Sequence, residues 1–204
     1  MPLFRSSTAG MEEGLAVVAP IDRARLDDDL CSGDIGIRLA AVRVAGRLGE
    51  AELLAEHLES ESAPAVREAI LTSLVRIGGV AAARPLVELL RSDDTLLRNA
   101  AIEALQSMGE SVVPEIELLL DDPVADLRIY ALNIAHSLRS ARVPDLALRV
   151  IADDPHVNVC AAAIDVLAQV GRPEMAPALQ AVADRFPDEP FLAFAVRAAI
   201  KRIG

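Results

Sequence analysis

A sixteen-residue stretch, Asp-Ile-Gly-Ile-Arg-Leu-Ala-Ala-Val-Arg-Val-Ala-Gly-Arg-Leu-Gly from Asp34 to Gly49, recurs along this chain and limits what it can fold into. Copies run from Ala63 to Gly78, Asp94 to Gly109, Val124 to Arg139 and His156 to Gly171, with a shortened one from Ala193 to Gly204. An apolar residue precedes an arginine in Ile37-Arg38, Val66-Arg67, Leu97-Arg98, Leu127-Arg128 and Val196-Arg197; the fifth copy has Val159-Cys160 instead. These anchors are spaced by 29, 31, 30, 32 and 37 residues. A glycine follows eleven residues later at Gly49, Gly78, Gly109 and Gly171, and Arg139 holds that place in the fourth copy. A period in this range marks a helical array, in which each unit buries its apolar face only by stacking on its neighbours.

The spacing within each copy is helical. Ile37, Ala41, Val44, Ala45 and Leu48 share one side, as do Leu97, Ala101, Ile102 and Leu105. A second helix follows each copy: Glu50–Ser60, Val80–Arg91, Ser111–Leu120, Arg142–Ala152 and Pro173–Phe186. Pro85, Pro114, Pro144 and Pro177 fit first turns, where a missing amide costs little. The acidic turns Asp93-Asp94, Asp121-Asp122-Pro123 and Asp153-Asp154-Pro155 suit helix N-termini. Residues 1–20 read as a flexible leader, Asp22 as the cap of a first helix, and 21–204 as one continuous array of about six units and about twelve helices, without strands.

Composition narrows the function. Apolar residues make up 52% and aromatics only 2%, so the core is aliphatic. The net charge of −11 disfavours phosphate backbones, and so nucleic acid as a partner. No apolar run is long enough to span a membrane. The two cysteines, Cys31 and Cys160, have no zinc spacing and suit a reducing, cytoplasmic setting. Cys31 has no base near it in sequence and receives no role.

The pattern Leu89-Leu90-x-x-Asp93-Asp94-x-x-Leu97-Arg98-x-x-Ala101-x-x-Ala104-Leu105 resembles the HEAT repeat, and is similar to the short variety first noted in phycobilisome lyases. The resemblance implies an all-α, right-handed α-solenoid. It implies that Arg38, Arg67, Arg98, Arg128 and Arg197 form an internal ladder with turn aspartates, and that the arginine-bearing helices line a concave face. It also implies a non-catalytic, cofactor-free scaffold or adaptor for a protein partner. Alternatives are an accessory subunit of a bilin lyase and a bacterial adaptor of chemotaxis-type signalling. The latter is suggested by Val157–Ala163 and Glu189–Phe194, which look like stretches of small bacterial HEAT proteins.

Enzymatic relatives fit less well. Deoxyhypusine hydroxylase ligates iron through His-Glu pairs, but here the histidines precede Leu58, Ser137 and Val157. HEAT-like DNA glycosylases need an aromatic-rich basic cleft, and this chain has no Trp and one Tyr. His156 and Cys160 are four residues apart, yet two ligands do not make a zinc site. Cys160 reads as a small buried residue where the ladder skips a rung.

Fixed offsets from the anchor give the outward positions. Arg43, Thr72, Glu103, Asn133, Asp165 and Arg202 stand five residues on, and Arg47, Arg76, Ser107, Ser137 and Gln169 nine residues on. The expected surface runs from basic at the first two repeats to acidic near Asp165, so an acidic segment of a partner would dock at Arg43, Arg47 and Arg76. Phe186, Phe191 and Phe194 read as the cap over the last repeat, with a hydrophobic partner anchor as the alternative.

Overall fold

The computed structural model describes residues 23–204. The expected leader over 1–20 and the Asp22 cap lie outside the described residues.

Twelve α-helices and no strand are found among the described residues, and the fold is an all-α solenoid. The odd-numbered helices are α1 (Arg23–Leu30), α3 (Ala51–Ser60), α5 (Gly79–Glu88), α7 (Val113–Leu119), α9 (Val143–Asp153) and α11 (Ala176–Arg185). The even-numbered, anchor-bearing helices are α2 (Ile35–Leu48), α4 (Pro64–Ile77), α6 (Thr95–Ser107), α8 (Ala125–Ala135), α10 (Val157–Val170) and α12 (Pro190–Ile203). Short 3₁₀ turns, Leu89–Arg91, Gly109–Val112 and Pro173–Met175, extend or introduce odd helices. Each even helix packs on the even helix before it, so the six form one layer. Leu54, Leu58, Ile70, Leu74, Leu86, Leu105, Ile116, Leu132 and Ile164 fill the space between the layers, each essentially inaccessible.

Position along the array modifies the common pattern. Val66, Leu97, Leu127, Val159 and Val196, which precede the anchors, are at most 4% exposed, but Ile37 is 45% exposed. Among the described residues α2 has no even helix before it, so Ile37 has nothing to cover it. The buried stripe of α2 is accordingly Ala41, Val42, Ala45 and Gly46, and Leu48 faces outward. Gly46 is required by close approach: a Cβ there would fall 2.9 Å from Ser73 Cβ and 2.6 Å from Arg76 Nη2 on α4.

The helix ends also follow from local chemistry. Gly49, Gly78 and Gly109 take positive φ of 79°, 66° and 66°, which reverses the chain at the end of α2, α4 and α6. Arg139 would pay about 1–2 kcal/mol for that conformation, and α8 ends earlier, at Ala135. Gly171 has φ −69° and does not use its freedom. Pro114, Pro144 and Pro177 stand in first turns as expected, but Pro85 lies inside α5, which begins at Gly79.

The ladder differs from expectation in its principal partner. Each rung reaches the backbone carbonyl six residues upstream, in the turn before its own helix. Arg38 Nη1 donates to Ser32 O at 2.7 Å, Arg67 Nη2 to Glu61 O at 2.6 Å, Arg98 Nη1 to Ser92 O at 2.7 Å and Arg128 Nη1 to Asp122 O at 2.9 Å. These carbonyls precede helices and have no intrahelical amide to accept from, so a guanidinium satisfies them.

Carboxylates enter from the following repeat at the same upstream position. Glu61 takes Arg38 in a fork at 2.8 and 3.0 Å, and Asp154 takes Arg128 at 2.7 and 3.0 Å. All four side chains are at most 14% exposed. Ser92 holds that position opposite Arg67, whose Nε is buried without a hydrogen-bond partner among the described residues. Asp122, opposite Arg98, pairs instead with Arg91 at 2.5 Å, while Arg98 bonds Thr95 and lies over the Tyr130 ring.

Asp94, a turn aspartate expected in the ladder, caps α6 by accepting from the Leu96 and Leu97 amides, as Asp34 caps α2. Arg197 is exposed and has no rung among the described residues. Residue 191, six before it, already lies inside α12, so its carbonyl serves the helix.

Burial pushes the Glu61 and Asp154 carboxyls up. The hydrogen bonds from Arg38 and Arg128, with those from the Ala63 and His156 amides, outweigh it and hold both below their ordinary values. A carboxyl with a folded pKa below its unfolded one stabilises the fold above the unfolded value. That stability is lost as pH falls through the folded value. Unfolding free energy measured against pH should therefore drop below about pH 4. Asp154→Asn should flatten this acid limb and lower stability at neutral pH. A second expectation concerns the defective rung: Ser92→Asp should supply Arg67 with the partner that Glu61 gives Arg38. We expect chemical denaturation to show a gain on the order of 1 kcal/mol; an unchanged midpoint would mean that Arg67 Nε is already satisfied by solvent.

Candidate functional site

The residues expected at the binding surface are all exposed: Arg43 and Arg47 on α2, Thr72 and Arg76 on α4, Glu103 on α6, Asn133 on α8, and Asp165 and Gln169 on α10. They stand on successive members of one helix layer. Arg43 and Arg47 are four residues apart and share a helix face. The gap left by Gly46 lets Arg76 lie against α2, the helix that carries Arg43 and Arg47. That signal was present in the sequence as a glycine inside a helix and went unused.

Most arginines of this chain are committed. Arg84 pairs with Glu115, Arg142 with Glu117, Arg149 with Asp121 and Arg172 with Asp145, joining successive repeats along the odd-helix side. Arg43, Arg47 and Arg76 form no ion pair or hydrogen bond among the described residues. An exposed cation without a local carboxylate keeps its field directed outward and available to an incoming anion.

The phenylalanines separate. Phe186 is half-buried, packs on the core and carries the Arg185 guanidinium on its ring at 4.9 Å. Phe191 and Phe194 are 64% and 65% exposed. Leu192, Val196 and Ala199 make the buried side of α12, and the two phenylalanines fall on another. Of the three, Phe186 packs on the core, and Phe191 and Phe194 leave an apolar pair at the surface.

Three clefts of about 410, 370 and 340 Å³ open between successive turns, around Arg128, Arg38 and Arg98 respectively. They are the same notch repeated along the array, and each contains a rung whose guanidinium is already engaged. Their recurrence marks them as a product of stacking; the one around Arg38 also has Cys31 and His57 in its lining.

His156 and Cys160 do not form a pair: the former is the exposed N-cap residue of α10, the latter is buried. Cys160 Sγ donates to Asp154 O at 3.3 Å, the ladder carbonyl. Arg185 arrives from the end of α11, donating to that carbonyl at 2.9 Å, to Cys160 Sγ at 3.0 Å and to Ala152 O. The rung is therefore filled from the other layer. Burial pushes the Cys160 thiol up, and the Arg185 guanidinium offsets this only in part.

Cys31 needs a correction. A base does stand beside it, supplied by the next odd helix: the donor atoms of Asp27, Cys31 and His57 all lie within 4.8 Å of one another.

A protonated, buried thiol is a poor nucleophile. Iodoacetamide at neutral pH should therefore modify Cys31 on the native protein far faster than Cys160, as peptide mass spectrometry can show. Comparable rates would mean that α10 and α11 open readily.

No helix among the described residues is long and apolar enough to cross a membrane. No curated protein matches the chain. The family model of HEAT repeats matches residues 28–106, from within α1 to within α6, a stretch that includes Arg43, Arg47 and Arg76.

Proposed function

We propose that this chain is a non-catalytic binding scaffold that receives an acidic segment of a protein partner on its even-helix layer. HEAT repeats commonly serve as protein-interaction scaffolds, which supports the class of function. The observation that carries the finer reading is the set of exposed, unpaired cations on α2 and α4 in a chain of net charge −11. Most other arginines are consumed by carboxylates and carbonyls; Arg25, Arg139, Arg197 and Arg202 are also unpaired among the described residues, but they are not grouped on two neighbouring even helices. The layer is the inner face of the solenoid in this reading, and 21–204 acts as one binding unit.

Arg38 and Arg67 take no direct part, because their guanidinium groups serve the turns. Glu103 and Asp165 set polarity: the anionic part of the partner sits at α2 and α4, and a neutral or basic continuation runs toward α10. Complementary charge of this kind fixes orientation and association rate more than affinity. Exposed pairs are screened within about 8–10 Å at physiological ionic strength, so binding weakens with salt.

A fluorescent poly-glutamate peptide provides the test. Arg43→Glu with Arg47→Glu should slow its association several-fold at low salt while leaving helicity and unfolding temperature nearly unchanged. Arg202→Glu, at the far end, should leave the rate close to that of the parent. Equal rates for the parent and the double variant would remove the basic end as the docking site.

A further inference from the structure

We propose that Asp27, Cys31 and His57 form a three-ligand zinc site at the N-terminal end of the described array, independent of the partner surface. Asp27 lies on α1, Cys31 follows that helix directly, and His57 lies on α3. Asp27 and Cys31 are four residues apart, which puts both on one side of the chain as it leaves the helix. Each offers one ligand atom, and the three atoms lie within 4.8 Å of one another.

The geometry suits a tetrahedral ion. Zinc bonds sulfur at about 2.3 Å and imidazole nitrogen or carboxylate oxygen at about 2.0–2.2 Å. Tetrahedral donors at those lengths are about 3.3–3.7 Å apart. At present Asp27 Oδ1 and His57 Nε2 are 2.7 Å apart, in a hydrogen bond. That pair has to open by under about 1 Å to admit an ion of this size. The Asp27 side chain is 54% exposed and Cys31 is exposed, so both can rotate without disturbing the core. The His57 side chain is only 16% exposed, and it gives the site a fixed member.

The donor set selects the metal. Calcium and magnesium require oxygen ligands, whereas thiolate, imidazole and carboxylate together suit zinc. With three protein ligands, the fourth position faces solvent and takes water or an incoming donor.

The rest of the array supports a purpose beyond packing. Where later repeats are joined along this side by ion pairs, the cation is an arginine, in Arg84–Glu115, Arg142–Glu117 and Arg172–Asp145. Arginine cannot ligate a metal in its charged form. Among the described residues the joint between α1 and α3 alone adds a histidine to such a pair, Arg23–Glu50, and there a thiol stands beside it. Leu26 and Leu30, each 4% exposed, anchor α1 to the core independently of Asp27 and His57.

Cobalt(II) titration of the reduced, untagged full chain tests the proposal, because a thiolate ligand produces a charge-transfer band in the near ultraviolet. We expect one equivalent to bind, with that band and with the intense visible bands of four-coordinate cobalt, and zinc to displace it. Cys31→Ser should abolish the charge-transfer band, and Asp27→Asn should weaken zinc binding by on the order of tenfold or more. Both positions are exposed, so circular dichroism should show unchanged helicity. Zinc should also slow alkylation of Cys31 without affecting Cys160. Absence of the band in the parent chain, its persistence in Cys31→Ser, or undiminished zinc affinity in Asp27→Asn would each overturn the assignment. None of these outcomes touches the Arg43 and Arg47 surface, so the two readings fail separately.

Discussion

The turn carbonyl six residues before each anchor is the group on which this architecture depends. A chain that alternates helix and tight turn leaves a backbone oxygen half-buried at every repeat, with no amide in reach. Leaving such a group unsatisfied costs about 1–3 kcal/mol. The arginine of the following helix reaches back and donates to it. Its remaining nitrogens are then free for the next repeat, so one side chain closes its own turn and ties two units together. Arg38 and Arg128 do both, through Ser32 O with Glu61 and through Asp122 O with Asp154.

This explains why the repeats are similar without being equivalent. The carbonyl contact is present in four rungs, whereas the carboxylate contact depends on which residue occupies the upstream position. Glu61 and Asp154 complete the fork, Asp122 turns to Arg91 instead, and serine leaves it open at Arg67. A solenoid is held together by nearest-neighbour terms. Variation in those terms concentrates weakness at particular joints. The serine also substitutes for the acid locally, since Ser32 and Ser92 accept from the Asp34 and Asp94 amides where Glu61, Asp122 and Asp154 accept from the corresponding ones.

The architecture was legible in the sequence because its cause is periodic. Anchor spacing, glycine stops and helical apolar stripes each repeat, and repetition separates signal from accident. What stayed hidden was aperiodic or lay between units. Pro85 looked like a first-turn proline, but α5 begins earlier. Arg197 matched the anchor pattern, but α12 starts early and absorbs the carbonyl it would have used. Cys31 had no base nearby because His57 comes from another helix, and contacts across a repeat have no signature in local spacing. The outward positions could be read as exposed from their offsets, but Gly46 and the placement of Arg76 beside α2 required knowing how closely two helices approach.

Arg185 shows what happens when a member of the array loses its own rung. Its guanidinium comes from the helix after Cys160 rather than from the same helix, and rests on the neighbouring Phe186 ring. The fifth unit is therefore finished only when the chain beyond it has folded back. Fraying of α11 would strip the Asp154 carbonyl of its charged donor and uncover the thiol, coupling the far end of the molecule to its interior. In an array where Arg38, Arg67, Arg98 and Arg128 complete their own turns, this joint ties the opening of α11 to that of the unit before it.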